Sequence, residues 1–352
     1  MHALPLCRTK RIEYDTAMKT CSQDTPLAFA GIIGQPKAKE LLYRAMAGAK
    51  MSHAYLFRGP AGVGKKTMAH AFAATINCLA PLDHGACGSC SSCHKFRSGN
   101  HPDFQLIAPE GASIKIQQIR ELKKSLAFPP YEARFRVVLL ADAHTMRRET
   151  ANSLLKTLEE PPANTVLILT ADEASGVLPT IVSRCQVLPF FALPREEVTA
   201  ALLAEGGLTP EEAATLAAIA EGSLGRARLL GQKKLLDVRA AIINTLLHLP
   251  PEGPETVETV FDLAEQAAKL KEDLDELLDL LRAWYRDLLL VAAGVPAQVL
   301  NQDLAPTWPL ARQRWNLSQL FDRLQHLAQA KRELSRNCNR TLVCEVLFFG
   351  LL

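Results

Sequence analysis

The sequence predicts a chain of three parts: an α/β domain built on a parallel sheet, a small helical lid, and an all-α C-terminal domain. Between Ala54 and Phe190, five short apolar runs alternate with segments of helical periodicity. This alternation is typical of a parallel α/β sheet. After Pro194 the strand-like runs stop, and the rest of the chain has only helical patterns.

The predicted strands are the short apolar runs. They are Ala54–Phe57, Phe104–Ile107, Arg136–Leu140, Thr165–Leu169 and Gln186–Leu188. Helices are predicted between them, because apolar residues such as Ile116, Ile119 and Leu122 recur at intervals of three or four. These helices are Lys66–Cys78, Ile116–Leu126 and Thr145–Leu158.

Changes of pattern suggest the domain boundaries. Residues 1–27 show no sustained period and are expected to form a poorly ordered leader, and residues 28–192 form the α/β domain. Residues 193–232 are predicted to form the lid, with short helices separated by glycines. Residues 233–352 are rich in Leu, Ala, Glu and Arg and predict a helical oligomerisation domain.

Composition excludes some classes of protein. Forty Lys plus Arg against 37 Asp plus Glu give a net charge of +3, so any contact with DNA must be local. No stretch approaches the roughly 18 apolar residues of a membrane span, and no apolar signal core opens the chain. A cytoplasmic location without membrane contact is therefore expected. In that setting, the nine cysteines are expected to be metal ligands or free thiols.

A phosphate-binding loop is predicted directly after the first strand. The residues Gly59-Pro-Ala-Gly62-Val-Gly64-Lys65 follow a strand and open a helix, which is the context that such a loop requires. The glycines let backbone N–H groups turn towards phosphates, and Lys65 can reach the outer phosphates. The sequence thus predicts a P-loop nucleotide site.

Two groups needed for ATP hydrolysis are missing. The residue after Lys65 should carry a hydroxyl that ligates Mg²⁺, but it is Lys66. Thr67 comes one place late, and one residue turns a helix by roughly 100°, so its hydroxyl is not expected to replace the missing ligand.

The second departure concerns the pair of carboxylates expected at the end of the third strand, one for Mg²⁺ and one to activate water. Asp142 stands alone between Ala141 and Ala143. It can occupy either place, and the distance to the next helix favours the place of the base. His144 lies beyond both places, which argues against it as a substitute base. The domain is not expected to hydrolyse ATP, and whether ATP or ADP still binds remains open.

Four cysteines predict a structural zinc site. Cys78, Cys87, Cys90 and Cys93 lie within sixteen residues in the spacing C-x8-C-x2-C-x2-C, and the two-residue gaps let adjacent thiolates converge on one tetrahedral ion. His84, His94 and His101 are nearby, but four thiolates already complete the shell. The ion would hold an insertion, residues 78–93, between the first helix and the second strand.

Several motifs in order resemble one family. The phosphate loop, the cysteine insertion, Asn152–Pro162 and Ser183-Arg184-Cys185 are similar to the bacterial clamp-loader subunits of DNA polymerase III, which are AAA+ proteins. Trp284-Tyr-Arg-Asp287 and Asn337–Glu345 are similar to the collar helices of this family. The resemblance runs from about Phe29 to the C-terminus.

The resemblance implies roles for several residues. Arg184 would be an arginine finger that points across a subunit interface at the γ-phosphate of a neighbouring motor subunit. Arg226 falls where the lid presents its sensor arginine and could contact a nucleotide bound to the same chain. Thr170 lies near the first sensor position. Lys66 and the unpaired Asp142 resemble the subunits whose ATPase site is degraded, as opposed to the gamma and tau motors.

The resemblance implies a function in DNA replication. The chain would be a non-hydrolysing subunit that joins gamma or tau and delta, and that supports the ATP-dependent loading of a sliding clamp onto primed DNA. One alternative is a gamma/tau-type motor ATPase, which would require the two missing groups. Another is a zinc-dependent redox or signalling switch, for which only the cysteine cluster argues.

Overall fold

A computed structural model describes residues 26–48, 51–172, 176–250, 252–295 and 299–352. The chain separates into two compact units, one that ends at Glu197 and a second, Val198–Leu352. The predicted division of the second unit into a lid and a collar remains a prediction. Of the predicted leader, residues 1–25 lie outside the described residues, whereas Leu27 is buried in the core of the first unit.

The first unit contains a five-stranded parallel sheet of strand order β2-β3-β4-β1-β5. The strands are β1 Ala54–Arg58, β2 Phe104–Ile107, β3 Arg136–Leu140, β4 Thr165–Ala171 and β5 Gln186–Pro189. All five predicted strands are confirmed, and so is the α/β fold class.

Helices cover both faces of this sheet. They are α1 Pro36–Ala47, α2 Lys65–Ile76, α3 Ser91–Arg97, α4 Ile116–Leu126, α5 Arg148–Glu159 and α6 Pro179–Val182. The third predicted helix starts later than expected, because Ala143–Thr145 forms a separate 3₁₀ turn.

Each central strand is buried on both sides, since its alternate residues belong to different cores. Tyr55 and Phe57 pack with α1 and α2, whereas Ala54 and Leu56 pack with α4 and α5. Continuous apolar strands are expected for a parallel sheet that is covered on both faces. Polar chemistry is thereby confined to the ends of the strands.

The second unit is helical throughout its described residues. Its helices, beginning with one that crosses the boundary between the units, are α7 Arg195–Glu205, α8 Pro210–Ile219, α9 Leu224–Gln232, α10 Leu235–His248, α11 Pro254–Ala268, α12 Leu274–Ala292, α13 Trp308–Arg314, α14 Leu317–Ser335 and α15 Arg340–Leu351. Its core is formed by the helices from α10 through α15, which pack around Trp284 and Tyr285. The expected all-α C-terminal domain is confirmed.

Asp287 gives the Trp284–Asp287 motif a structural role. Its buried Oδ2 accepts hydrogen bonds from the N–H groups of Leu300 and Asn301, at 2.9 and 2.7 Å, and from the Asn301 amide at 2.6 Å. The side chain of Asn301 in turn accepts a hydrogen bond from Arg239, which is fully buried and also pairs with Asp303. The motif therefore anchors the chain beyond α12 to the core of the bundle.

Among the described residues, no helix combines the length and the apolar character needed to cross a bilayer.

Candidate functional site

The order of the strands places the candidate nucleotide site at the carboxyl edge of the sheet. Since β4 lies between β3 and β1, the loop after β1 is next to the residues that follow β4 and close to those that follow β3. The N–H of Gly59 donates to the carbonyl of Ala171 at 3.2 Å, which ties the start of the loop to the end of β4. Ligands of open α/β sheets bind at this edge.

The loop has the backbone of a phosphate cradle. Gly62 and Gly64 have φ values of 71° and 99°, which side chains rarely tolerate. A Cβ atom on Gly59 would lie 2.1 Å from the carbonyl oxygen of Phe190, so no other residue fits there without a shift of the backbone. Gly64 precedes α2, whose first N–H groups face this loop.

Lys65 is folded onto its own loop. Its side chain is only 5% exposed, and its Nζ donates to the carbonyls of Gly59 and Pro60, the latter at 2.7 Å. The same Nζ forms an ion pair with Asp172 at 2.9 Å. These partners hold the ammonium group inside the curve of the loop. From there it can exchange them for the oxygens of a bound phosphate group.

Lys66 pairs with Asp142, the carboxylate that comes directly after β3. Its Nζ lies 2.7 Å from Oδ2 of Asp142. Asp142 is itself held in place, since its N–H donates to the hydroxyl of Thr170 at 3.0 Å. A lysine has three donors and no lone pair, so residue 66 cannot ligate a cation. The position that should supply a metal ligand supplies a positive charge.

The structure therefore brings together Gly59, Gly62, Gly64, Lys65, Lys66 and Asp142, as the sequence predicted. Thr170 is also present, as a support for Asp142. Asp172, the partner of Lys65, was missed. Its position directly after a buried strand was the available signal, because polar residues there reach the carboxyl edge.

His144 lies beside Asp172. Its Nδ1 accepts the N–H of Asp172 at 3.4 Å, and its Nε2 is 3.8 Å from a carboxylate oxygen of the same residue. This placement agrees with the argument against His144 as a substitute base.

The four predicted cysteines converge on one point. Their Sγ atoms all lie within 4.8 Å of one another, and the Cys78–Cys90, Cys87–Cys93 and Cys78–Cys93 pairs are 3.9, 3.9 and 3.7 Å apart. Thiolates around a tetrahedral zinc ion, with Zn–S bonds of about 2.3 Å, are about 3.8 Å apart. The cluster could therefore hold a metal such as zinc.

Local hydrogen bonds lower the pKa of Cys87 and Cys90, whereas burial raises the pKa of Cys78 and Cys93. The N–H groups of Cys87 and Cys93 point at the Sγ atoms of Cys78 and Cys90, at 3.3 and 3.5 Å. The backbone N–H and the hydroxyl of Ser89 lower the pKa of Cys87 to about 6. Cys90 caps α3, and Cys93 lies in the first turn of that helix.

His101 is engaged elsewhere. It is buried, stacks on Phe96 with a centroid distance of 4.2 Å, and its Nε2 lies 3.3 Å from the hydroxyl of Ser92. Among the described residues, the group that converges for a metal is the four cysteines alone.

Arg184 lies just after α6 and before β5. Its guanidinium pairs with Glu159 at the end of α5 and donates to the carbonyl of Thr180 at 2.9 Å. The arginine and glutamate side chains are 34% and 47% exposed. The charge is therefore held in a defined place and remains accessible from solvent.

Arg226 is engaged within the second unit. Its Nε forms an ion pair with Glu276 at 2.6 Å, and its Nη1 donates to the carbonyl of Ile219 at 3.0 Å. These contacts tie α9 to α12. A role towards nucleotide stays a prediction.

Comparison with known proteins decides the family. Residues 34–194 match the family described as DNA polymerase III, delta subunit, and residues 237–351 match the C-terminal domain of that subunit. The delta-prime subunit of DNA polymerase III from Bacillus subtilis is 31% identical over 307 residues, which cover 87% of this chain and 92% of that protein.

The chain belongs to the delta-prime family of DNA polymerase III subunits. The delta-prime subunit from Pseudomonas aeruginosa is 38% identical over 201 residues, 55% of this chain and 60% of that protein. The resemblance to clamp-loader subunits is thereby confirmed.

Part of the chain is also similar to tau subunits of DNA polymerase III. The tau subunit from Escherichia coli is 35% identical over 205 residues, which cover 56% of this chain but only 32% of that protein. The family model of the C-terminal domain of the delta subunit covers residues 237–351, in the helical unit.

Proposed function

We propose that this chain is a clamp-loader subunit that does not hydrolyse ATP itself and that completes the ATP site of a neighbouring motor subunit with Arg184. The observation that carries this proposal is the ion pair between Lys66 and Asp142, 2.7 Å apart. It occupies the place where a hydrolysing site needs a hydroxyl and two carboxylates.

The chemistry of hydrolysis explains why this pair is disabling. Phosphoryl transfer requires Mg²⁺ to neutralise the developing charge and a residue that orients the attacking water. Asp142 is the single carboxylate after β3, and the Lys66 ammonium neutralises it. The carboxylate oxygen that the ammonium group engages is not free to orient an attacking water.

Accessibility supports the role of Arg184. Guanidinium groups stay charged and present a planar fork that matches phosphoryl oxygens. The pair with Glu159 is partly exposed, so the arginine can exchange this carboxylate for a more highly charged phosphate at little cost. The neighbouring subunit would supply the nucleotide and the metal.

The family suggests the partners. Relatives of this chain are named as delta-prime, tau and gamma/tau subunits of DNA polymerase III. We infer that this chain assembles with gamma or tau and with delta, and supports the placement of a sliding clamp on primed DNA. The helical unit, matched by the C-terminal domain of the family, would provide the assembly contacts.

The metal proposed for the cysteine cluster is zinc, in a structural role. Four thiolates at tetrahedral spacing leave no open coordination position, so the ion would not take part in catalysis. It would join the end of α2 to the start of α3 through Cys78 and Cys90.

A motor ATPase is the second candidate, and the similarity to the tau subunit favours it. ATP turnover by the purified chain, measured with Mg²⁺ and primed DNA, tests between the two. We expect background turnover from the wild-type chain alone and robust turnover after addition of the motor subunit. Turnover by the chain alone at the rate of a motor subunit would refute the non-hydrolysing assignment.

A further inference from the structure

The residues around Asp142 do not fit a magnesium ion. Mg²⁺ requires nearly octahedral oxygen ligands at about 2.1 Å. The two carboxylates that meet the loop in the described residues, Asp142 and Asp172, each pair with a lysine ammonium, at 2.7 and 2.9 Å. Lys66 places a positive charge where a hydroxyl is needed. A divalent cation bound to Asp142 would have to displace the Lys66 ammonium group or lie next to it.

The phosphate cradle, in contrast, has kept its form. The three loop glycines retain positive φ values, and close contact with Phe190 allows only glycine at position 59. The loop leads into α2, a helix of 12 residues, and Lys65 is buried against the carbonyls of the loop itself. A loop whose only remaining task was to connect β1 to α2 would not need this geometry.

We propose that this loop binds a nucleoside di- or triphosphate in its metal-free form, with the ammonium group of Lys66 in the place of Mg²⁺. The inference rests on the proposed function, because a site without Mg²⁺ retains a nucleotide and does not cleave it. The ligand would act as a structural cofactor of the first unit.

The charge and the reach of the Lys66 side chain support the replacement of Mg²⁺ by its ammonium group. The Lys66 side chain is 54% exposed and can turn from Asp142 towards a phosphate oxygen. Two ammonium groups, on consecutive residues at the start of α2, then neutralise the negative charge of the phosphates. In an intact site, Lys65 and Mg²⁺ would neutralise it together. A nucleotide that carries Mg²⁺ would bring a dication to a place that already holds two cations, so the metal complex is disfavoured.

Calorimetric titration of the full chain with ADP tests the proposal, once in EDTA and once in excess MgCl₂. For the wild-type chain we expect binding in EDTA and an affinity at least about tenfold lower in MgCl₂. Lys66→Thr should reverse this order, because the hydroxyl restores a metal ligand and the ammonium is gone. Lys65→Ala should abolish binding in both buffers, which would locate the ligand in this loop.

Lys66→Ala provides a second variant, since it removes the charge without adding a ligand and should bind ADP weakly in both buffers. Thermal melts in the absence of nucleotide check that all variants are folded. Absence of ADP binding to the wild-type chain at millimolar concentration, or binding that requires Mg²⁺, would overturn the proposal. ATP turnover of the same samples separates the two ideas: background turnover with magnesium-dependent binding refutes only this inference, whereas motor-like turnover refutes the proposed function as well.

Discussion

Replacement of Arg184 by alanine separates a catalytic role in trans from a structural one. Among the residues that the structure describes, the guanidinium has one ion-pair partner, Glu159, and both side chains are partly exposed. Exposed ion pairs contribute about 0.2–1 kcal/mol to the free energy of unfolding. For a unit of this size that corresponds to a shift in Tm of no more than about 4 °C.

The effect on hydrolysis should be far larger. An arginine that stabilises the transition state of phosphoryl transfer is worth at least about 10³ in rate, or about 4 kcal/mol. Arg184→Ala should therefore slow one ATP site of the assembled complex by about 10³ while the free energy of unfolding changes by less than about 1 kcal/mol.

The assay is single-turnover ATP hydrolysis by the complex with clamp and primed DNA. Sites completed by other subunits would keep their rates, so the expected result is the loss of one kinetic phase. Glu159→Gln is the matched control, since it breaks the same ion pair but retains the arginine; its hydrolysis should equal that of the wild-type complex. Arg184→Lys should behave like the alanine variant, because an ammonium group lacks the planar fork.

Gel filtration must show that the Arg184→Ala complex assembles normally. If every phase of hydrolysis then keeps its wild-type rate, Arg184 is a surface ion-pair residue and the trans assignment is wrong.

Three further predictions concern the metal and the buried carboxylates. Elemental analysis should find about one zinc ion per wild-type chain and none when Cys87 and Cys90 are both replaced by serine. The control variant Cys185→Ser should keep the metal. A wild-type chain without zinc would contradict the assignment. Asp103 accepts backbone N–H groups of Tyr131, Glu132 and Ala133 at 2.6–2.9 Å. Burial would raise the pKa of Asp103, but these hydrogen bonds and Arg136 outweigh it and lower the pKa. Because its folded-state pKa is depressed, Asp103 stabilises the protein above its unfolded pKa, and this contribution is lost as pH falls through the folded-state pKa. Asp103→Asn should lower the free energy of unfolding by about 2–3 kcal/mol at neutral pH and make its decrease at acid pH less steep. Equal urea midpoints at pH 7 for the variant and the wild type would contradict this. Asp287→Ala leaves three donors without an acceptor in the second unit, so it should lower the free energy of unfolding by about 3–5 kcal/mol, measured by urea unfolding. Glu265→Ala is the control, because it removes the carboxylate of an exposed ion pair in the same unit. A loss below about 1 kcal/mol for Asp287→Ala would show that the motif does not anchor the bundle.

Local patterns were sufficient for most of the fold. The strands could be predicted because runs such as Arg136–Leu140 are short, apolar and bounded by helical periodicity, which reflects burial on both faces. The start of α5 was placed too early, because Thr145 belongs to a 3₁₀ turn whose hydrogen bonds to Asp142 have no periodic signature. The short helix α3 was not predicted at all, since seven residues give too few turns to show a period.

The candidate sites divide in the same way. Spacing predicted the cysteine cluster, because all four ligands lie in one short segment and can meet without help from distant parts of the chain. The partners of Lys65 and Arg184 could not be predicted. Asp172 is 107 residues from Lys65, and Glu159 is 25 residues from Arg184.

The sequence by itself determined which chemical groups are present: a glycine cradle with its lysine, no hydroxyl at position 66, one carboxylate after β3, and four thiolates. Only the tertiary structure decided what Lys66 does. The position of β4 between β1 and β3 brings the loop and Asp142 to the same edge of the sheet, where opposite charges at 2.7 Å form an ion pair. The order of strands in space is set by packing across the whole domain. Because of this order, the residue that replaces the metal ligand places its positive charge against the remaining carboxylate.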